Sequence, residues 1–77
     1  MEIHVKLYSI QREKLPPEAR GQIVLQLEDG ATLSDILEEF GISRRVVIGV
    51  NGEHEPDSSR QLLDYDDIKI FSSVSGG

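Results

Sequence analysis

The chain has 77 residues, with 14 Asp and Glu against eight Lys and Arg for a formal charge of −6, and it contains no cysteine. That length gives one domain whose small core has little volume to surrender to an enclosed substrate cavity, which argues for a carrier, modifier or binding module over a self-sufficient enzyme. The acidity disfavours binding to a phosphate backbone, which needs basic clusters, and the lack of cysteine excludes disulfides, thiolate metal sites and a cysteine nucleophile.

The chain opens MEIHVKLYS, an alternating run with Ile3, Val5 and Leu7 on one side and Glu2, His4 and Lys6 on the other. This pattern predicts a half-buried strand. It is not the basic-then-apolar pattern of a signal peptide. No run in the chain approaches the roughly 18–20 apolar residues of a membrane span, so a cytoplasmic location is expected. The stretch QREKLPPEARG breaks the alternation, because Pro16–Pro17 cannot sit inside a sheet and Gly21 closes the loop. QIVLQLE alternates again, with Ile23, Leu25 and Leu27 inward, and most simply pairs antiparallel with the first strand. Asp29–Gly30 then supplies a turn.

TLSDILEEFG is the clearest helix. Thr32 caps its first turn, with Asp35 in the position of the reciprocal capping partner. Leu33, Ile36, Leu37 and Phe40 form one apolar stripe, and Gly41 is the expected stop. VVIGVNGE reads as a third strand with Val46, Ile48 and Val50 inward. Asn51–Gly52 then signals a tight hairpin, since both central positions of a type I′ turn need positive φ. A short return strand near Glu53–Glu55 follows, before Pro56. In DSSRQLLDYDD the two leucines, Leu62 and Leu63, are expected to plug the core. The last strand, IKIFSSV, turns Ile68 and Ile70 inward and Lys69 and Phe71 outward. One helix with a single apolar stripe must pack on one face of the sheet, an α+β architecture. The domain is expected over residues 1–72, with 73–77 as a flexible tail ending in Gly-Gly.

Chemistry-bearing motifs are sparse. There is no His-x-x-His, no glycine-rich phosphate loop and no G-x-S-x-G. His4 and His54 read as surface residues, and Asp64, Asp66 and Asp67 as turn formers before the last strand rather than ligands of a weakly held cation. Tyr8 and Phe71 both fall on the outward side of their strands. If those strands are neighbours, the two rings form an exposed apolar patch, with Val24 or Val74 adding to it.

The segments DGATLSDILEEFG, V-x-x-G-V-N-G-E, DYDDIKIF and the closing SVSGG together resemble the ubiquitin-like sulfur-carrier family, over nearly the whole chain. Its best-known members are the small subunit of molybdopterin synthase, MoaD, and the thiamin-pathway carrier ThiS. The resemblance implies a ubiquitin-like β-grasp fold, a mixed sheet of four or five strands with one main helix packed on one face. It also implies a reaction performed on the chain by others. An E1-like adenylating enzyme, using ATP and Mg²⁺ that the carrier itself does not bind, would adenylate the Gly77 carboxylate. Sulfur from a persulfide protein would then convert it to a thiocarboxylate.

Gly76 would keep the tail slim enough for the enzyme's channel. Tyr8 and Phe71 would lie in the docking surface, with Val74 and Ser75 contacting a partner. Asp66 and Asp67, with Glu38, Glu39 and Asp64, would match basic residues of the activating enzyme. The long first loop and the SVSGG ending lean toward molybdopterin biosynthesis, with a large synthase subunit as the acceptor of the sulfur. Carriage for thiamin thiazole or tRNA thiolation, isopeptide conjugation through Gly77, and a non-catalytic adaptor role are the alternatives. No bound metal, nucleic acid or membrane is implied, and the free chain is expected to be a monomer.

Overall fold

The structure, a computed structural model, describes residues 1–42 and 46–72. Strands β1 (Glu2–Leu7) and β2 (Gln22–Gln26) precede helix α1 (Leu33–Phe40), and β3 (Val46–Val50), β4 (Glu53–His54) and β5 (Asp67–Ser72) follow it. The five strands form one sheet in the order β2-β1-β5-β3-β4. β1 runs antiparallel to β2 and parallel to β5, and β3 runs antiparallel to both β5 and β4. The last strand is thus inserted between the first and the third. Its buried side chains, Ile68 and Ile70, sit in the middle of the sheet with no exposed surface.

Helix α1 forms where local chemistry dictates. The Thr32 hydroxyl accepts from the Asp35 N–H while the Asp35 carboxylate accepts from the Thr32 N–H, a complete capping box. Gly41 ends the helix in the left-handed region at φ 64°, and the Gly41 and Ile42 N–H groups bond back to the Glu38 and Leu37 carbonyls. This closure delivers Ile42 into the core. Leu33, Ile36 and Leu37 meet Ile3, Val5, Leu7, Ile48, Val50, Leu62, Ile68 and Ile70 on one face of the sheet. Burying each such side chain contributes about 1.5–3 kcal/mol, so the stripe is the helix's main anchor. The turn between β3 and β4 is as its sequence demands, with Asn51 at φ 52° and Gly52 at φ 89°.

Two expectations need correction. Leu62 is buried at 2% exposure, but Leu63 is 65% exposed, because consecutive residues of this extended loop point to opposite sides. β2 ends at Gln26, before Leu27, and its inward residues Ile23 and Leu25 are only half-buried, because β2 is the edge strand and has no strand beyond it. The 11–21 stretch is ordered by two short 3-10 turns, Ser9–Lys14 and Pro17–Ala19, and Leu15 between them packs against the core. The expected tail at 73–77 lies outside the described residues.

Candidate functional site

β1 and β5 are parallel neighbours in the register Leu7 opposite Ile70, so both strands finish at the same end of the sheet. The first residue past β1, Tyr8, donates its N–H to the Ile70 carbonyl at 3.0 Å, which holds its ring beside Phe71. The two rings stack with centroids 4.4 Å apart and planes 17° from parallel. Lys6 lies on the same face with Nζ 5.2 Å from the Tyr8 centroid, a cation–π contact. Phe71 pairs across the strands with Val47, and the two are 36% and 37% exposed. Tyr8, Phe71 and Val47 therefore make one apolar patch on the face away from α1, where Ser72 leads out toward the tail.

Val47 was the residue that sequence reasoning missed. Its signal was present, since inward Val46 and Ile48 leave Val47 pointing out. Val24 is 50% exposed but stands opposite His4, which in turn stands opposite Asp67. That position is two strands across and four residues along from Phe71, so Val24 does not join the patch.

The acidic residues divide. Asp66 is 4% exposed. One of its carboxylate oxygens accepts from the Asn51 side-chain amide at 2.8 Å, and the other from the Leu63 N–H at 2.8 Å. The Asn51 side-chain oxygen in turn accepts from the Asp67 N–H at 2.9 Å, tying the β3–β4 turn to the start of β5. Asp66 thus holds the frame, and its carboxylate is not presented to a partner as expected. Asp67 is exposed but stands at the start of β5, about 13 Å along the strand from Phe71. Asp64 accepts from the Glu2 N–H at 2.7 Å, tying the loop before β5 to the start of β1. Val74, Ser75, Gly76 and Gly77 lie outside the described residues, as does the Arg44–Arg45 pair.

The face beside the patch carries cations. Lys6 and Lys69 are directly opposed in the β1–β5 register. Among the described residues neither takes part in an ion pair; the pairs found are His4 with Glu2 at 2.7 Å and Arg60 with Glu55 at 3.0 Å. The lysines border a shallow groove of about 670 Å³ that runs over β2, β1 and β5. Among its described lining residues no nucleophile, base and orienting group stand in register. Among the described residues no group of three or more His, Cys, Asp or Glu is placed to hold a metal ion. Away from this face, Asp57 is held below its ordinary carboxylate pKa by the Ser59 hydroxyl and N–H, which both bond to it in a local turn.

The model of the ThiS family matches residues 5–77. The chain belongs to the ThiS family. Solved structures share the ubiquitin-like β-grasp fold. A molybdopterin converting factor subunit 1 from Pyrococcus furiosus, described as putative, superposes with a TM-score of 0.75 at 21% identity, covering 96% of this chain and 99% of that one. Small archaeal modifier protein 1 from H. volcanii gives a TM-score of 0.74 at 15% identity, covering 95% and 98%. A complex of subunits 1 and 2 of the molybdopterin-converting factor from Helicobacter pylori gives 0.66 at 21% identity, with each chain covered in full. No curated protein matches the sequence. The family's fold is that of ubiquitin-like sulfur carriers and modifiers, and the stacked pair and the exit of β5 sit on it as described. No helix among the described residues is long and apolar enough to cross a membrane.

Proposed function

We propose that the chain is a sulfur carrier whose Gly77 carboxylate is activated and converted to a thiocarboxylate, in molybdopterin biosynthesis. The observation that carries this reading is the ThiS-family match running through the Gly-Gly at 76–77. A carboxylate is a poor electrophile. An E1-like enzyme with ATP and Mg²⁺ supplies the leaving group: a carboxylate oxygen attacks the α-phosphate, pyrophosphate departs and an acyl-adenylate remains. A persulfide's terminal sulfur then attacks the acyl carbon and expels AMP. A second thiol cleaves the resulting acyl disulfide to free the thiocarboxylate.

The chain's own part is delivery. Tyr8, Phe71 and Val47 offer a desolvatable contact where β5 ends. Five residues from there, at about 3.4 Å each when extended, span at most ~17 Å into an enzyme that keeps water from the mixed anhydride. Side chains are absent from the last two, which suits a narrow channel. The molybdopterin assignment is favoured over thiamin or tRNA thiolation by the long first loop and by the likeness to subunit 1 of two molybdopterin converting factors, one of them in complex with subunit 2. A large synthase subunit is the corresponding acceptor here.

The likeness to a small archaeal modifier protein favours one second reading, an isopeptide bond from Gly77 to a lysine. Intact mass spectrometry of the chain isolated from its own cells decides between them. Sulfur replacing one oxygen of the free chain supports the carrier, whereas Gly77-dependent covalent ladders support the modifier. Cells that function normally with Gly76 and Gly77 deleted overturn both and leave an adaptor.

A further inference from the structure

The two edges of the sheet are unlike. The β4 edge is two residues long and includes Glu53, the short and charged form that discourages further pairing. The β2 edge is five residues, Gln22-Ile23-Val24-Leu25-Gln26, with no charge and no proline. The direction of its unused hydrogen-bonding groups follows from its partner. The Met1 ammonium donates to the Leu27 carbonyl and the Leu27 N–H to the Met1 carbonyl, while the Leu7 N–H donates to the Gly21 carbonyl. In an antiparallel ladder such bonded pairs alternate with unbonded ones. Ile23 and Leu25 are therefore bonded to β1, and Gln22, Val24 and Gln26 turn their N–H and C=O groups to the open edge.

We propose that this edge pairs with the same edge of a second copy, antiparallel about a two-fold axis at Val24. The strand is nearly palindromic about that residue. Val24 meets Val24, Gln22 meets Gln26 and Ile23 meets Leu25 of the other copy. The outward donors and acceptors of each chain face those of the other. The inward side chains left half-buried by the edge, Ile23 and Leu25, are covered. Charge completes the match. Arg20 lies four residues before Val24 and Glu28 four after it, both exposed and neither in an ion pair among the described residues. Arg20 and Gly21, at φ 54° and 76°, turn the chain just before β2, so the Arg20 and Glu28 side chains flank the strand, and the two-fold axis brings Arg20 of one copy and Glu28 of the other to the same end of the paired strands. The resulting continuous sheet leaves Tyr8 about 7 Å and Phe71 about 12 Å across the sheet from the axis. Both tails stay available, and the proposal stands independently of what happens at Gly77. An interface of one short strand per chain belongs to the weak, transient class.

Sedimentation equilibrium of the whole chain from about 10 µM to about 1 mM tests it, the range set by that class of affinity. The weight-average mass rises from 8.6 kDa toward twice that value. Val24→Lys holds it at the monomer mass throughout. Arg20→Glu or Glu28→Arg alone lowers the dimer fraction several-fold, and the two together restore it, because the swapped charges again face each other. That exchange lies outside β2 and reads the pairing even if a lysine at 24 disturbs the strand. A monomer at every concentration overturns the proposal. So does association that Val24→Lys leaves unchanged, which would put the interface on another face, or a charge-swapped double variant no better than the singles.

Discussion

Asp66 accepts from the Asn51 amide and from the Leu63 N–H at 2.8 Å each while only 4% exposed, so its carboxylate is the meeting point of three chain segments. Asp67, next in sequence, is exposed, and only its backbone enters this network, its N–H donating to the Asn51 side-chain carbonyl and its C=O accepting from the Asn51 N–H. Losing the two hydrogen bonds that this buried carboxylate accepts from part-buried donors costs about 1.5–3 kcal/mol. Asp66→Ala is therefore expected to lower unfolding free energy by about 2 kcal/mol, read as a shifted urea midpoint with an unchanged slope. Asp67→Ala should stay within about 0.5 kcal/mol of the parent chain. The sequence shows two acids before a strand and no means of telling them apart. Their difference depends on Asn51, sixteen residues before Asp67, and becomes visible only when the turn and the loop are in place.

At the level of elements, what was legible was local. The capping residues Thr32 and Asp35, the stripe of Leu33, Ile36 and Leu37, and the Asn51–Gly52 turn each carry their geometry within a few residues, and each forms as read. The joining of Tyr8 to Phe71 required β5 to lie beside β1, a pairing between chain ends that no local pattern encodes. The partial burial of Ile23 and Leu25 likewise follows from β2's place at the edge, which periodicity does not report.

Two glycines that end the elements differ in the same way. Gly41 has φ 64° and open space where a Cβ would stand, so alanine there meets only the left-handed penalty of about 1–2 kcal/mol. Gly21 has φ 76°, and its Cβ would lie 2.6 Å from the Leu7 carbonyl oxygen and 3.0 Å from Arg12 Nε. Gly21→Ala must distort the pairing of β1 with β2 and should destabilise by more than Gly41→Ala, about 3 kcal/mol. Thermal unfolding of the two variants side by side checks the order; equal melting temperatures would show that the β1–β2 corner gives way at little cost.

Across the whole molecule, the lysines on the outer face of the sheet lie nearest the patch, and Glu2 and Asp67 lie at the far end of the strands. The chain is strongly acidic, yet Lys6 and Lys69 stand opposed on the face that carries Tyr8, Phe71 and Val47, while Glu38 and Glu39 are exposed on the helix that covers the other face. Like charges directly opposite across strands are unfavourable in the isolated chain. A partner that brings carboxylates to the lysines and apolar atoms to the stacked rings would relieve that repulsion and desolvate the patch together. Buried aromatic anchors of this kind carry about 2 kcal/mol or more of binding, roughly 30-fold in affinity.

On the proposed carrier reading, Phe71→Ala is thus expected to raise the KM of the adenylating enzyme for the chain about 30-fold in a pyrophosphate-exchange assay, with kcat little changed, because Gly77 is untouched. Tyr8→Ala should do nearly the same. The double variant should fall well short of the product of the two effects, since each ring's contact depends on the stack. Lys6→Glu should also raise KM and weaken the salt dependence of activation, whereas Glu38→Lys should leave both unaltered. If Glu38→Lys is the damaging change and Phe71→Ala is silent, the enzyme docks on the helix face, and the stacked pair has a different partner.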